Sequence, residues 1–385
     1  VWVEIDVSAV RHNAALLARM AAPAALCAVV KADAYGHGAA TVARAALEGG
    51  ATWLAVATAE EGAQLRAAGI TAPVLVLSEP PPEAMADLVA HRLTPAVYSQ
   101  PGIRALADAS ARAGVVTDGH VKVDTGMHRV GADRRELLGI VGAVTGDAAL
   151  RFAALWTHFP VADGITAEDR SFTEAQIRSL GEARDELADA GHPPPLLHAA
   201  NSAGTVAYPA ARFDMVRCGI ALYGVGPFPV VDPVVAAAVA STGAGGLRPV
   251  LSLRAKVTLV RRLDAGERPS YGRLYGLPER STVATVPLGY ADGVARRYFT
   301  RGGTVLVGGR RRPLAGMVTM DQIVVDCGPG EDVAVGDDVV LIGRQGTESL
   351  TAADWAEVLD TIAHEVLCAI GPRVPRVVVD REGLS

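Results

Sequence analysis

Aromatic residues are scarce in this 385-residue chain, 5% in all, so any core must be filled chiefly by Ala, Val and Leu. Cysteine is scarcer still. Cys27, Cys218, Cys327 and Cys368 lie far apart with no C-x-x-C pair, which excludes a zinc knuckle or a disulfide scaffold. No apolar run approaches the roughly 20 residues needed to span a bilayer. The first residues, V-W-V-E-I-D, alternate like a strand and lack the basic start and apolar centre of a leader. A basic surface is missing too: 36 Lys+Arg against 42 Asp+Glu give a net charge of −6, and Arg310-Arg311-Arg312 is too short a cluster for nucleic acid. These absences predict a cytoplasmic, reduced globular protein that engages neither membrane nor nucleic acid. Half of the residues are hydrophobic, ample for large cores, and the length predicts two to three domains at about 150 residues each.

Lysine is the rarest charged residue. Only Lys31, Lys122 and Lys256 occur among the 36 basic positions. A coding bias toward Arg explains the scarcity, yet it draws attention to each lysine retained, because only Lys forms a Schiff base or loses its proton readily.

Short apolar runs recur at 25–31, 53–58, 73–78, 94–99, 120–124, 152–158, 195–201 and 213–219, with amphipathic stretches such as 39–48 and 172–187 between them. Near-continuous apolar strands alternating with helices read as a parallel sheet. Eight β-then-α units predict a (β/α)₈ barrel over residues 8–240, with a doubly wound sheet as the other candidate. After Ala240 the texture changes. S-T-G-A-G-G (241–246) is linker chemistry, and alternating strands at 251–260, 281–288 and 332–342 follow, with one helix at 351–366. Residues 241–385 thus read as a mainly antiparallel β domain, which the N-terminal strand, residues 1–7, is expected to join.

Barrel enzymes carry their chemistry at the C-terminal ends of the strands. Those ends hold Lys31, Lys122 with Asp124, His158, Asn201 with Ser202, and Arg217. The loops after strands seven and eight commonly bind phosphate. Here they are N-S-A-G-T, with Ser202 expected to cap a short helix, and G-I-A-L-Y-G, whose glycines permit close backbone approach. A lysine on strand one facing a phosphate cradle suits a phosphorylated carbonyl held as an imine. Pyridoxal phosphate fits that description, and so does the substrate of a sugar-phosphate aldolase.

K-A-D-A-Y-G-H-G (31–38) resembles the cofactor-lysine motif of the alanine racemases, barrel enzymes dependent on pyridoxal 5'-phosphate. H-V-K-V-D-T-G-M-H-R-V-G (120–131), W-T-H-F (156–159), H-A-A-N-S-A (198–203) and M-V-R-C-G-I-A-L-Y-G (215–224) follow in that family's order, as do S-Y-G-R-L-Y (270–275), P-L-G-Y-A-D-G (287–293) and M-D-Q (320–322). The resemblance implies racemisation of alanine, supplying D-alanine for peptidoglycan, by a homodimer with active sites shared between subunits. It implies that Lys31 holds the cofactor and serves as base on one face of the substrate Cα. Tyr271 of the partner chain serves on the other face, because one base takes the proton and another returns it. A free tyrosine titrates near 10, so a tyrosine base needs a neighbouring cation or donor, for which His158 and Arg217 are the candidates.

Arg217 resembles the residue facing the pyridine nitrogen. Having no acceptor, it can only donate there, which favours reprotonation of a short-lived carbanion over side reactions. A salt bridge of Arg217 with Asp214 is the competing structural role. Tyr35, Ser202, Gly219 and Ile220 carry over as phosphate ligands, with Asn201 beside them. Arg129, Met320 through its backbone N–H, Asp321 and Tyr290 carry over as substrate-binding residues. Lys122 matches a lysine often carbamylated in the family, the alternative being an ordinary strand lysine beside Asp124. No metal is expected.

The chain departs from the family at two places. His364 stands where a tyrosine is expected to donate to the phosphate, and Trp156 stands where many relatives have tyrosine. His364 is expected beside the cofactor phosphate, holding it less tightly as pH rises. Three alternatives remain open: a racemase of another small amino acid such as serine, a non-catalytic pyridoxal-phosphate-binding protein, and a decarboxylase. The carrier is opposed by Tyr271 and M-D-Q, and the decarboxylase by Arg217.

Overall fold

The computed structural model describes residues 1–226, 246–330 and 332–381. It divides into two compact units: one of residues 10–34 and 39–248, the other of residues 1–9, 35–38 and 249–385. Of the expected linker, 241–246, residues 241–245 lie outside the described residues.

Strand β1 (Trp2–Asp6) belongs to the second unit and is followed by the first helix, Val7–Ala21. The first unit is a closed parallel barrel of eight strands in chain order. They are β2 (Ala25–Val29), β3 (Trp53–Val56), β4 (Val74–Val76), β5 (Thr94–Val97), β6 (Thr117–Lys122), β7 (Leu150–Trp156), β8 (Leu197–His198) and β9 (Met215–Cys218). All eight expected runs supply a strand, and β9 pairs back to β2 through Ala25↔Met215 to Ala28↔Cys218. The barrel reading therefore prevails over a doubly wound sheet. Strands buried on both faces explain the unbroken apolar runs: Leu54, Ala55, Val56 and Val74, Leu75, Val76 are wholly buried.

The β unit contains β10 (Leu251–Lys256), β11 (Leu259–Leu263), β12 (Ser281–Val286), β13 (Thr304–Val307), β14 (Arg310–Pro313), β15 (Ile323–Asp326), β16 (Asp338–Gln345), β17 (Glu348–Leu350) and β18 (Arg376–Val379). One sheet runs β14-β13-β16-β10-β1-β18, and a second runs β11-β12-β15. Strand β1 is antiparallel to β10 and parallel to β18.

Three expectations are corrected here. The run 251–260 is two strands, because β10 pairs with β1 and β16 whereas β11 pairs with β12. The run at 332–342 becomes regular strand only from Asp338. The helix at 351–366 is two, Ala352–Leu359 and Ala363–Cys368, separated at Asp360, whose φ of 54° is left-handed. Arg311 and Arg312 of the basic triplet pair with Glu348 and Asp332 at 3.4 and 3.2 Å, so much of its charge is locally matched. Among the described residues no helix is long and apolar enough to cross a membrane, and no cluster of His, Cys, Asp or Glu could hold a metal.

Candidate active site

Immediately beyond β2 the backbone does something the sequence does not announce. Ala32, Asp33, Ala34 and Tyr35 have φ of 52°, 50°, 54° and 55°, and Gly36 follows at 80°. The helical turn Lys31–Gly36 is left-handed. L-residues pay roughly 1–2 kcal/mol each in that region, or about 4–8 kcal/mol for the four that are not glycine. Local bonds hold the turn. The N–H of Ala32 donates to Oε1 of Glu61 at 2.6 Å, that of Ala34 to the carbonyl of Val30 at 2.9 Å, and that of Ala39 to Oδ1 of Asp33 at 2.7 Å. Glu61 also accepts from Ala57 at 2.7 Å, so one carboxylate anchors both the turn bearing Lys31 and the start of the next helix. Backbone strain concentrated beside a candidate catalytic lysine is the usual mark of a functional segment.

Within the barrel unit, Arg217 is the centre of a buried polar cluster. It is 3% exposed. Nη1 donates to Nδ1 of His198 at 2.7 Å, and Nη2 donates to the carbonyls of Thr157 and Ala199, both at 2.9 Å, and to Nδ1 of His158 at 3.2 Å. Asp214 is not its partner; that carboxylate accepts from the N–H of Leu197 at 2.7 Å. A guanidinium only donates, so Nδ1 is the acceptor in His198 and His158. His198 then carries its proton on Nε2 and donates to Nδ1 of His120 at 3.1 Å. Burial, reinforced by the Arg217 charge, holds both His158 and His198 well below the ordinary histidine range, so both are neutral acceptors. Burial also lowers Arg217, to about 10. Its Nε–H and one Nη1 hydrogen are spent on no described residue. That unspent capacity is what an acceptor-only pyridine nitrogen needs.

Lys122 and His120 share the inward face of β6, two residues apart. Lys122 makes no ion pair among the described residues and lies 4.4 Å from the ring centre of Trp156. The Arg217 guanidinium lies 4.6 Å from the same ring, and His198 stacks on it at 5.2 Å. Burial, with the charges of Arg217 and Arg129, brings Lys122 down to about 7. Asp124 is committed elsewhere, accepting from Gly126 at 2.9 Å and from His128 at 3.1 Å. Arg129 is exposed on the loop that follows. The Lys31, Lys122, Arg129 and Arg217 charges all bear on His158 at this rim. Positive charge so concentrated suits a phosphate and a carboxylate.

The cradle after β8 and β9 is built otherwise than expected. Asn201, not Ser202, caps the short helix Ser202–Ala207, its Oδ1 accepting from Gly204 at 2.9 Å. Ser202 Oγ accepts from Gly219 at 3.0 Å and from Ala221 at 3.3 Å, which ties the β8 loop to the turn Ile220–Tyr223 and leaves the hydroxyl hydrogen to donate. Tyr223 Oη donates to the carbonyl of Val29 at 2.8 Å, fastening that turn to the end of β2. These donors, with Arg217 and Lys31, fit a phosphorylated pyridine aldehyde.

In the β unit, Tyr35 and His364 come together, with ring centres 5.8 Å apart. Tyr271, Tyr290 and Met320 are 69%, 44% and 53% exposed, a concentration of bare apolar surface on three adjoining turns. Ser270 Oγ donates to the carbonyl of Met317 at 2.7 Å, and Tyr290 N–H donates to that of Thr319 at 2.9 Å. His120, His198 and Glu61 were given no role by sequence reasoning. The only available signal was that His120 and His198 lie on the same inward faces as Lys122 and the strand-eight end.

Residues 5–227 match the family model "Alanine racemase, N-terminal domain", and residues 250–378 match "Alanine racemase, C-terminal domain". The chain belongs to the alanine racemase family. It is 42% identical over 376 residues to the alanine racemase of Symbiobacterium thermophilum, covering 97% of this chain and 96% of that one. The solved alanine racemase of Streptomyces coelicolor A3(2) superposes with a TM-score of 0.89 at 38% identity, covering 98% of this chain and 97% of that one. The histidine racemase of Leuconostoc mesenteroides superposes at 0.86 with 30% identity, covering 98% of each chain. Membership makes this chain an isomerase of the racemase class built on the alanine racemase architecture.

Proposed function

We propose that this member of the alanine racemase family interconverts L- and D-alanine with pyridoxal 5'-phosphate, with Lys31 and Tyr271 as its two bases, as a homodimer in which Tyr271 of one chain completes the site of its partner. The observation that carries the reading is Arg217, a buried, donor-only cation that has, among the described residues, no carboxylate partner and N–H groups to spare, with a lysine-bearing strained turn on the same barrel rim. The bound cofactor supplies an electron-withdrawing ring that acidifies the substrate Cα–H. Lys31 Nζ takes or returns that proton on one face and Tyr271 Oη on the other. Arg217, which can only donate, would hold the ring nitrogen without protonating it and so moderate the electron withdrawal that the cofactor supplies.

Ser202, Tyr35, His364 and the N–H of Ile220 hold the phosphate, with Asn201 and Gly219 shaping the cradle; the Gly219 N–H, expected to bind phosphate, instead donates to Ser202 Oγ. Arg129 and the Met320 N–H receive the substrate carboxylate, and Tyr290 lines the approach. Lys122, brought to about 7, is substantially a neutral amine near pH 7, the form that captures carbon dioxide as a carbamate. The resulting anion would sit among Arg129, Arg217 and Lys31. Residues 8–240 and 241–385 are the domains in this reading, with 1–7 joined to the second, and the product D-alanine serves peptidoglycan in the cytoplasm.

The test is incubation of the cofactor-loaded enzyme with single L-amino acids in D₂O. L-Alanine should lose optical rotation and exchange its Cα hydrogen, with L-serine and L-histidine slower. Exchange without loss of rotation would refute the two-base reading, and faster turnover of another amino acid would reassign the substrate.

A further inference from the structure

Arg373 stands at a fork in the β unit. Its Nε donates to Oδ1 of Asp292 at 2.6 Å and its Nη2 to Oδ2 at 3.0 Å, a two-pronged charge-assisted pair. The same Nη2 donates to Oδ1 of Asp321 at 2.7 Å. Asp292 is buried and also accepts the N–H of Gly289 at 2.8 Å, closing the turn that carries Tyr290. Asp321 lies in the turn that carries Met320, itself closed by Thr319 N–H to the Gln322 carbonyl at 3.0 Å and Gln322 N–H to Thr319 Oγ1 at 3.1 Å.

The two turns are also zipped through the backbone. Tyr290 N–H donates to Thr319 and Ala291 N–H to Met320, at 2.9 and 3.1 Å. Those bonds engage the carbonyls of the Met320 turn, whereas the N–H of Met320 donates to no described residue. The Asp321–Arg373 pair is half exposed on both sides, and an exposed ion pair adds little to stability. What it does supply is geometry, since it fixes the second turn to a buried carboxylate in the first.

We propose that Arg373 is a positioning residue: through Asp292 and Asp321 it locks the Tyr290 and Met320 turns together and so aims the Met320 N–H at the substrate carboxylate. Asp321 then acts through Arg373 and does not itself touch substrate. The proposal rests on the reading of Met320 as a carboxylate donor. A hydrogen bond weakens steeply once its angle falls toward 120°, so a loosened turn loses carboxylate affinity without changing the reacting groups.

The test uses the holoenzyme and propionate, which has the carbon skeleton and carboxylate of alanine without its amine. Asp321→Ala leaves the Arg373–Asp292 pair intact, and Arg373→Lys keeps the charge but removes the fork. Each should raise KM for alanine and Ki for propionate together, by about three- to tenfold, a part of one charged hydrogen bond, with kcat within about twofold. Asp321→Asn, whose amide oxygen still accepts, should restore most of the affinity. Combining Asp321→Ala with Arg373→Lys should add little, because both cut one linkage. Additive losses, or a fall in kcat with unchanged Ki, would overturn the proposal. Met320→Pro removes the donor itself. If it leaves Ki unchanged, the Met320 reading falls and the clamp's purpose with it. If it raises Ki while the Asp321 and Arg373 variants do not, the clamp alone is refuted.

Discussion

The left-handed turn after Lys31 makes a prediction whose sign is unusual. Ala32 is solvent-exposed with φ of 52°, so removing its Cβ sacrifices little packing. Glycine adopts this region at no steric cost, which returns roughly 1–2 kcal/mol. Against this stands the greater freedom of glycine in the unfolded chain, about 0.4–1 kcal/mol. The balance is a stabilisation of about 0.8 kcal/mol for Ala32→Gly, or a rise of roughly 1 °C in Tm for a protein of this size.

The control is the same chemical change in a right-handed helix. Ala175 is exposed inside the helix Ala167–Asp189, and there Ala→Gly should cost about 0.5–1 kcal/mol. Differential scanning calorimetry of the cofactor-free protein, checked by urea unfolding at 25 °C, reads both. Opposite signs support a strained turn held by Glu61 and Asp33. A loss of stability in Ala32→Gly equal to that in Ala175→Gly would refute it, because a right-handed turn would behave in just that way.

Two further predictions concern the rim and the substrate turns. Lys122 titrates near 7 in the folded chain against an ordinary 10.5. Below 7 both folded and unfolded chains hold its proton and the burial penalty is complete. Between 7 and 10.5 only the unfolded chain holds it, so this contribution to stability rises with pH. Unliganded Lys122→Met should therefore exceed the native chain by on the order of 3 kcal/mol at pH 6, with the gap closing toward pH 10; a gap independent of pH in urea titrations would contradict this. Gly289 has φ of −153°, open to any residue, so its requirement is purely steric: a Cβ there would overlap the backbone of Thr319 and Met320. Gly289→Ala should cost about 1–3 kcal/mol and raise KM for alanine, whereas unchanged KM and Tm would show that the two turns are not packed this closely.

The barrel was legible because eight buried strands leave eight uninterrupted apolar runs, and the β unit because its strands alternate. What remained hidden follows from physics that local sequence does not encode. A-D-A-Y contains no glycine, so nothing marks a left-handed turn that is maintained by Glu61, some thirty residues on. K-V-T carries β-branched residues straight through the point where the chain leaves one sheet for the other. D-T-I has neither glycine nor proline, yet Asp360 breaks the helix. At the site, Lys31, Lys122 and Arg217 could be read from strand ends, but the direction of the Arg217–His198–His120 chain needed the third dimension. So did the transfer of the capping role from Ser202 to Asn201, since adjacent polar residues look alike in sequence.

The central claim, two bases drawn from two chains, is tested most directly by subunit mixing. Lys31→Ala and Tyr271→Phe should each be nearly inactive alone. After exchange of equal amounts, half of the dimers are mixed, and each mixed dimer has one site with both native residues, so activity should return to about a quarter of the native level. No recovery, with exchange demonstrated independently by differently tagged chains, would contradict the account, because bases supplied by a single chain leave every site with a lesion.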